Sequence, residues 1–207
     1  MKSLFTAVVV TVLMIPALAP AQSIKVGILP FDAVSVDGAD AASTALPKLV
    51  RIEMIKARKV TPQVLDLAPG AQTPVPAEQA AALGKTAGVR LVIVGTVTAA
   101  DVEQSSHGAD TGGFLGSLGV GGQISRTKVT VGLHIELVDP VKGDVVDTFE
   151  VEGSNSETGL GMNLSTALGD VNSGGTQWDK SPIGKALQDA AKKVSDEVAK
   201  RAAKLAK

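Results

Sequence analysis

The stretch KVTVGLHIELV, residues 128–138, alternates apolar and polar side chains along almost its whole length. Successive side chains of a β-strand point to opposite faces of a sheet, so this alternation predicts a strand with one buried face. Residues 139–144 follow as a turn, and the β-branched run 145–151 predicts an antiparallel hairpin partner. The side chains assigned to the buried face are Val129, Val131, Leu133, Ile135 and Leu137.

The rest of the chain supplies helices and strands on both sides of this hairpin. Pro76 and Gly88 mark the start and end of one helix, and Ser181 with Pro182 marks the start of the last helix. The predicted elements are strands at 24–29, 59–61 and 89–98 and helices at 41–57, 77–87 and from 182 onward. The order β-α-β-α-β-β-β-α predicts a single α/β (α+β) domain with a two-layer or three-layer arrangement.

Residues 1–21 have the pattern of a cleavable signal peptide. Lys2 supplies the positive charge, residues 4–18 are apolar, and residues 19–21 form a small-x-small cleavage site. This apolar run is shorter than the ~20 residues that a membrane-spanning helix needs. We expect the mature domain, residues 22–207, to reach the periplasm. It would carry no lipid, because the chain has no cysteine.

The composition argues against several classes of function. Without cysteine there are no disulfides, thiol nucleophiles or zinc–thiolate sites. The chain has 20 Lys and Arg against 21 Asp and Glu, which makes nucleic acid a poor partner. Residues 84–86, Gly-Lys-Thr, lack the upstream glycine of a phosphate loop, and no Gly-x-Ser-x-Gly motif is present. His107, Asp101, Glu103 and Asp110 lack the spacing of an EF-hand. We expect no catalytic residues, no cofactor and no bound metal.

Two segments rich in Gly, Ser, Asn and Thr interrupt the domain, at residues 104–127 and 153–175. Both alternate apolar with small or polar residues, as strands that cross an outer membrane do. Mobile loops are the alternative, and the second segment also fits a helix, although its glycines disfavour one. If the segments are hairpins, the membrane-facing positions are Phe114, Leu118, Val120, Ile124, Leu160, Met162, Leu164 and Leu168.

The order and spacing of these pieces resemble the curli secretion channel (CsgG) family. The stretches that carry the resemblance are 24–31, 83–97, 129–139, 142–146 and 181–187. The resemblance implies an anticodon-binding-like α/β domain in the periplasm and subunits that assemble into a ring. It also implies two β-hairpins per subunit that enter an outer-membrane barrel, at the places where this chain has its two inserts. Channel members of the family are lipoproteins, whereas this chain has no cysteine to acylate.

The resemblance implies a ring-forming transport or assembly component of the periplasm or outer membrane, involved in export or assembly of a surface polypeptide. Its partners would be further copies of itself, the secreted polypeptide and periplasmic accessory proteins. A soluble periplasmic binding or adaptor module, built on the same domain but without a pore, is the alternative. Phe114 is the one aromatic residue in the inserts, where barrel walls usually carry aromatic girdles.

Overall fold

A computed structural model describes residues 23–33, 39–68, 72–107, 124–159 and 180–205. The predicted signal peptide lies outside these residues. In chain order the elements are β1 (Ile24–Ile28), β2 (Asp32–Ala33), α1 (Ala39–Ala57), β3 (Val60–Val64), α2 (Ala77–Ala87), β4 (Leu91–His107), β5 (Ile124–Val138), β6 (Val145–Gly159) and α3 (Pro182–Leu205). The mixed α+β fold class expected from the sequence is confirmed.

The strands form one sheet in the order β3-β1-β4-β5-β6, and β2 adds a short pairing to β4. β1 runs parallel to β3 and β4, whereas β5 is antiparallel to β4 and β6. One row of paired residues crosses the whole sheet and consists of Gln63, Gly27, Val92, Val138 and Val145. Because each member of the row faces the next, Gln63 and Val145 lie at the same level on opposite edges.

Helices cover both faces of the sheet, which makes three layers. α1 and α3 pack together on one face, and α2 lies on the other. Leu133 and Ile135 of β5 are buried in one cluster with Leu187 and Val194 of α3, which confirms the predicted buried face of this strand. Apolar residues on the opposite face, including Val92 and Val138, form a smaller cluster beneath α2.

The Gly-Lys-Thr sequence at residues 84–86 ends a helix rather than beginning one. Gly88 caps α2 at φ 65°, and the next backbone N–H, that of Val89, donates to the carbonyl of Gly84. Gly84 itself is buried, and a Cβ there would come within 2.8 Å of Cγ of Pro140. Close packing of α2 against Val92 of the sheet and Pro140 of the β5–β6 turn therefore explains this glycine.

The three long strands continue further than the sequence predicts. β4 and β5 pair in register out to Gln104 with Thr127 and His107 with Ile124, and β6 runs to Gly159. The ends of both predicted inserts, residues 104–107, 124–127 and 153–159, therefore belong to the sheet. Apart from Ile124 these residues are polar or glycine, so their apolar pattern is weak, yet backbone hydrogen bonds to neighbouring strands hold them extended. The strand β2 was not predicted either, because its two residues are too few to show an alternation of apolar and polar side chains.

Candidate functional site

The three long strands end in a ribbon that leads to both inserts. We call residues 98–107, 124–132 and 153–159 the distal ribbon. The pairing of β4 with β1 and β2 ends at Val97, and beyond it the described part of β4 pairs with β5 alone. Residues 108–123 connect β4 to β5, and residues 160–179 connect β6 to α3. Both inserts therefore leave the domain from the same end of the sheet.

A β-bulge marks the point where the distal ribbon begins. The β4–β5 register shifts between Val97 and Ala99, opposite Gly132. A Cβ on Gly132 would lie 3.0 Å from Oγ1 of Thr98 and 3.3 Å from Cβ of Ala99, so the backbone of β5 approaches the bulge closely. Bulges bend a strand and increase its twist. The ribbon therefore turns relative to the rest of the sheet at this position.

Apolar burial stops part-way along the distal ribbon. Val129 and Val131 are buried against the helical layer, whereas Arg126 and Lys128 on the other face are exposed. Asn155 is paired with Val129, and its amide nitrogen is buried without a hydrogen-bond partner among the described residues. On this face, apolar burial therefore gives way to a buried polar group at Asn155.

Charged and hydroxyl side chains surround the ribbon near the inserts, and we call them the polar collar. Lys128 and Glu103 approach within 3.8 Å across β4 and β5, and Nε of Arg126 donates to Oγ of Ser156 at 2.8 Å. On the helical side Lys185 forms an ion pair with Glu157. The collar consists of Glu103, Arg126, Lys128, Ser156, Glu157 and Lys185. The side chains of the two ion pairs are partly or largely exposed, so solvent screens these pairs.

The outer edge of β6 is covered by side chains of α3. The backbone N–H of Ser154 donates to Oδ2 of Asp189 at 3.1 Å, and Nζ of Lys193 donates to the carbonyl of Glu152 at 2.9 Å. Asp189 and Lys193 also pair with each other at 2.8 Å. These contacts occupy the outward backbone groups that another strand would need for pairing. Strand addition to β6 is therefore blocked at Glu152 and Ser154. These two contacts do not cover the last residues of β6, 155–159, which lead to the second insert.

The predicted membrane-facing residues fall almost entirely outside the described residues. Ile124 is the first residue of β5 and pairs with His107 at the end of β4. The other seven lie in segments 108–123 and 160–179 and are Phe114, Leu118, Val120, Leu160, Met162, Leu164 and Leu168.

The described residues show neither a metal cluster nor a membrane helix. Asp101 and Glu103 lie two residues apart on the same face of β4. The described ranges contain no group of three His, Asp or Glu side chains that could hold a metal. His134 lies 3.7 Å from Glu136 and 3.9 Å from Glu150 on the sheet face that lacks α1 and α3. No helix within these ranges combines the length and apolar character needed to cross a membrane.

A cavity of about 320 Å³ lies at the end of the sheet opposite the distal ribbon. Ile24, Leu91 and Leu205 give it apolar walls, and Arg90 and Lys142 stand at its rim. Asp139 also lines the cavity, but one of its carboxylate oxygens accepts the backbone N–H of Val141 within the β5–β6 turn. These residues form a basic depression far from both inserts.

A family model described as "Curli production assembly/transport component CsgG" matches residues 65–206, which is more than half of the chain. The chain belongs to the CsgG family. The matched region contains β4, β5, β6 and α3, so it includes the whole distal ribbon and both inserts. The family resemblance inferred from the sequence is therefore confirmed.

Solved structures with a similar fold are distant in sequence. A hypothetical protein from Chlamydia trachomatis has a TM-score of 0.54 at 12% identity, covering 86% of this chain and 96% of that chain. A Xanthomonas campestris protein gives 0.45 at 12% identity (87% and 86% covered), and a PelC dodecamer from Paraburkholderia phytofirmans gives 0.36 at 16% (81% and 89%). The Chlamydia trachomatis structure supports the fold described above for this chain. No curated protein sequence matches the chain.

Proposed function

We propose that this CsgG-family protein is a non-catalytic transport or assembly component that forms a ring of identical subunits at the outer membrane. In this role its two inserts enter the membrane and a surface polypeptide passes through, or assembles on, the ring. Family membership supports the transport class. The observation that carries the proposal is the distal ribbon, which extends the sheet directly toward both inserts.

The length of the ribbon strands supports this role. β4 has 17 residues and spans about 56 Å at ~3.3 Å per residue. β5 and β6 have 15 residues each, whereas strands of globular domains usually have about 3–10. The strands therefore extend well beyond the part of the sheet that shares β1 and β2. A long ribbon whose outer described residues are not buried suits a structure that is completed by neighbouring copies and lipid.

The inserts have enough residues to complete such hairpins. A membrane-crossing strand in an outer membrane needs about 9–11 residues. Residues 108–123 would extend β4 and β5 into the first hairpin, and residues 160–179 would continue β6, turn and return beside it as the second hairpin. Unpaired strand edges are not stable in lipid, so the hairpins of one subunit require those of its neighbours. Membrane insertion therefore implies a closed ring.

The polar collar fits the position of the membrane surface. Charged side chains facing lipid are destabilising, so Glu103, Arg126 and Lys128 would remain in water at the base of the hairpins. Ile124 is the first predicted membrane-facing residue beyond these charges. This order, first charged and then apolar along the same strand, is the one that a strand entering a bilayer requires.

Cell fractionation tests the proposal. Wild-type protein should sediment with the outer membrane, and Leu118→Asp and Leu164→Asp should shift it to the soluble periplasm while the domain stays folded. Ser117→Asp and Ser165→Asp place the same charge at the neighbouring position, on the predicted lumen side, and should leave the protein in the membrane. A soluble wild-type monomer, with all four variants behaving alike, would contradict membrane insertion and favour the adaptor role.

A further inference from the structure

Exposed apolar side chains concentrate at the two edges of the sheet. Six large hydrophobic residues are exposed within the described ranges, and two of them, Val141 and Leu205, line the cavity at the end of the sheet. Of the other four, Ile52, Ile55 and Val64 lie on α1 and β3 at one edge, and Val145 lies on β6 at the other. Ile55 is 50% exposed and Val145 is 38% exposed. Single exposed hydrophobics are ordinary, but grouped ones mark interaction surfaces.

Val64 and Val145 lie at nearly the same level of the sheet. Gln63, next to Val64, belongs to the paired row that ends at Val145 on the opposite edge. A contact between the two edges at this level therefore needs no displacement along the strands. A heterologous contact without such a displacement can close into a ring.

The exposed residues of α1 face away from the interior of the helical layer. Glu53 lines a groove against α3, together with Lys56. Arg51 and Ile55 each lie two residues from Glu53 along the chain, one before it and one after it. In a helix of 3.6 residues per turn this places both about 200° from Glu53 around the helix axis. They therefore lie on the side of α1 that faces away from α3 and toward the β3 edge.

The two edges carry opposite charge. Residues 48–64, which we call the basic flank, contain five basic residues and one acid, Glu53, which pairs with Lys56 at 2.6 Å. Residues 139–157, which we call the acidic flank, contain six acids and one base, Lys142. Two of these acids pair with α3, Asp147 with Arg201 and Glu157 with Lys185. The carboxylates of Asp144 and Glu152 have no ion-pair partner within the described ranges.

We propose that the basic flank of one copy docks on the acidic flank of the next copy, head to tail, and that this contact closes the ring. The proposal rests on the proposed function, because it names the interface of the ring assumed there. Two different flanks on opposite edges make a heterologous contact, and their equal height favours a closed ring over a helical filament. Charge complementarity also selects this pairing, since two basic or two acidic flanks would repel.

Side chains, rather than a continuous sheet, make this contact. Pro62 in β3 has no N–H to donate to an added strand. Asp189 and Lys193 already occupy the edge of β6. Both edges are therefore closed to strand addition at these positions, whereas Ile55, Arg51, Val145 and Asp144 remain free to pack across the interface.

Charge reversal of the purified mature protein tests the interface, with native mass spectrometry and sedimentation velocity as readouts. Arg51→Glu and Asp144→Lys should each raise the concentration needed for assembly by at least about tenfold, because each puts like charges together. The double variant should regain assembly. Ile55→Ser should weaken assembly without changing charge. Lys85→Glu and Glu78→Lys on α2 are matched controls and should assemble like the wild type, and thermal unfolding checks that every variant is folded.

The outcomes separate this interface from the proposed function. If the wild type assembles and neither reversal affects assembly, the interface is elsewhere and the inference is wrong, while membrane insertion stands. If the reversals dissociate the ring and the double variant restores it, but the wild type fractionates with the soluble periplasm, the interface is correct and membrane insertion is wrong. A wild type that stays monomeric at every concentration overturns the interface and the ring together.

Discussion

Gly153 of β6 lies directly beneath Ala190 of α3, so closely that a Cβ added to Gly153 would be 2.5 Å from the backbone nitrogen of Ala190. It would also be 2.6 Å from Cβ of Ala190 and would collide with the carbonyl oxygen of Ala186. Glycine therefore sets the distance between strand and helix. Because α3 lies this close, Asp189 and Lys193 reach around the edge of β6 to its outward backbone groups.

Gly153→Ala should lower the free energy of unfolding by about 1–3 kcal/mol, because overpacking forces the helix and strand apart. Chemical denaturation followed by circular dichroism measures the change. Ser154→Ala is the matched control, since it adds no atoms and keeps the backbone N–H that donates to Asp189. An unchanged midpoint for Gly153→Ala would show that α3 does not contact β6 as described.

Asp189→Ala should expose the outward N–H of Ser154 to solvent. The hydrogen bond between them contributes about 1 kcal/mol, so amide exchange at Ser154 should accelerate about fivefold. Amide hydrogen exchange by NMR resolves this position. Asp196→Ala removes a carboxylate that pairs with Lys192 instead, and it should leave the Ser154 amide unaffected. Equal exchange in both variants would show that α3 does not cover the β6 edge.

Leu133→Ala should destabilise the domain by about 2–5 kcal/mol, because Leu133 is 1% exposed and its removal leaves a cavity between β5 and α3. Urea denaturation provides the measurement. Leu205→Ala truncates a leucine that is 45% exposed at the end of α3 and should cost much less. If both variants unfold at the same midpoint, the buried face of β5 has been assigned wrongly.

The sequence predicted the core elements because their patterns are strong and local. Alternation in residues 128–138 identified the buried face of β5, and Pro76 with Gly88 bounded α2. Pro182 likewise marked the first residue of α3. Such signals depend on nearest neighbours along the chain, so they do not require knowledge of the fold.

The outer part of the distal ribbon, residues 104–107, 124–127 and 153–159, was harder to predict because nearly all of its residues are polar or glycine. Ser105, Arg126 and Ser156 give no apolar period, and their extended structure depends on partners far away in sequence, such as Lys128 with Glu103. The opposite charges of the two sheet edges could not be predicted from the sequence either. They are recognised only from the strand order, which places residues 48–64 and 139–157 on opposite sides of the sheet.

Processing of the N-terminus is a further prediction. Mass spectrometry of the periplasmic protein should find Gln22 as its first residue and no lipid, since residues 19–21 supply the small side chains that signal peptidase requires. Ala21→Leu should slow this cleavage, because a bulky residue then precedes the scissile bond. Detection of intact Met1 on a membrane-embedded protein would contradict both the signal peptide and its removal.

The C-terminal turns of α3 should lose stability in acid. Lys200, by a hydrogen bond at 2.6 Å, and then Arg201 hold the pKa of Glu197 below its usual value of 4.5. The folded state thus favours the carboxylate, and this contribution is complete above pH 4.5 and lost as the pH falls through the lowered pKa.

Arg201 makes this pair part of the tertiary structure, since it also contacts Asp147 at 2.8 Å and lies 4.2 Å above the ring of Phe149. Glu197→Gln should therefore lower the free energy of unfolding at pH 7 by about 0.5 kcal/mol, a small value because solvent screens the pair. Thermal unfolding from pH 7 to pH 3 should show the wild-type advantage disappearing in acid. Glu78→Gln on α2 is the control. A difference between wild type and Glu197→Gln that stays constant down to pH 3 would exclude ionisation of Glu197 as its cause.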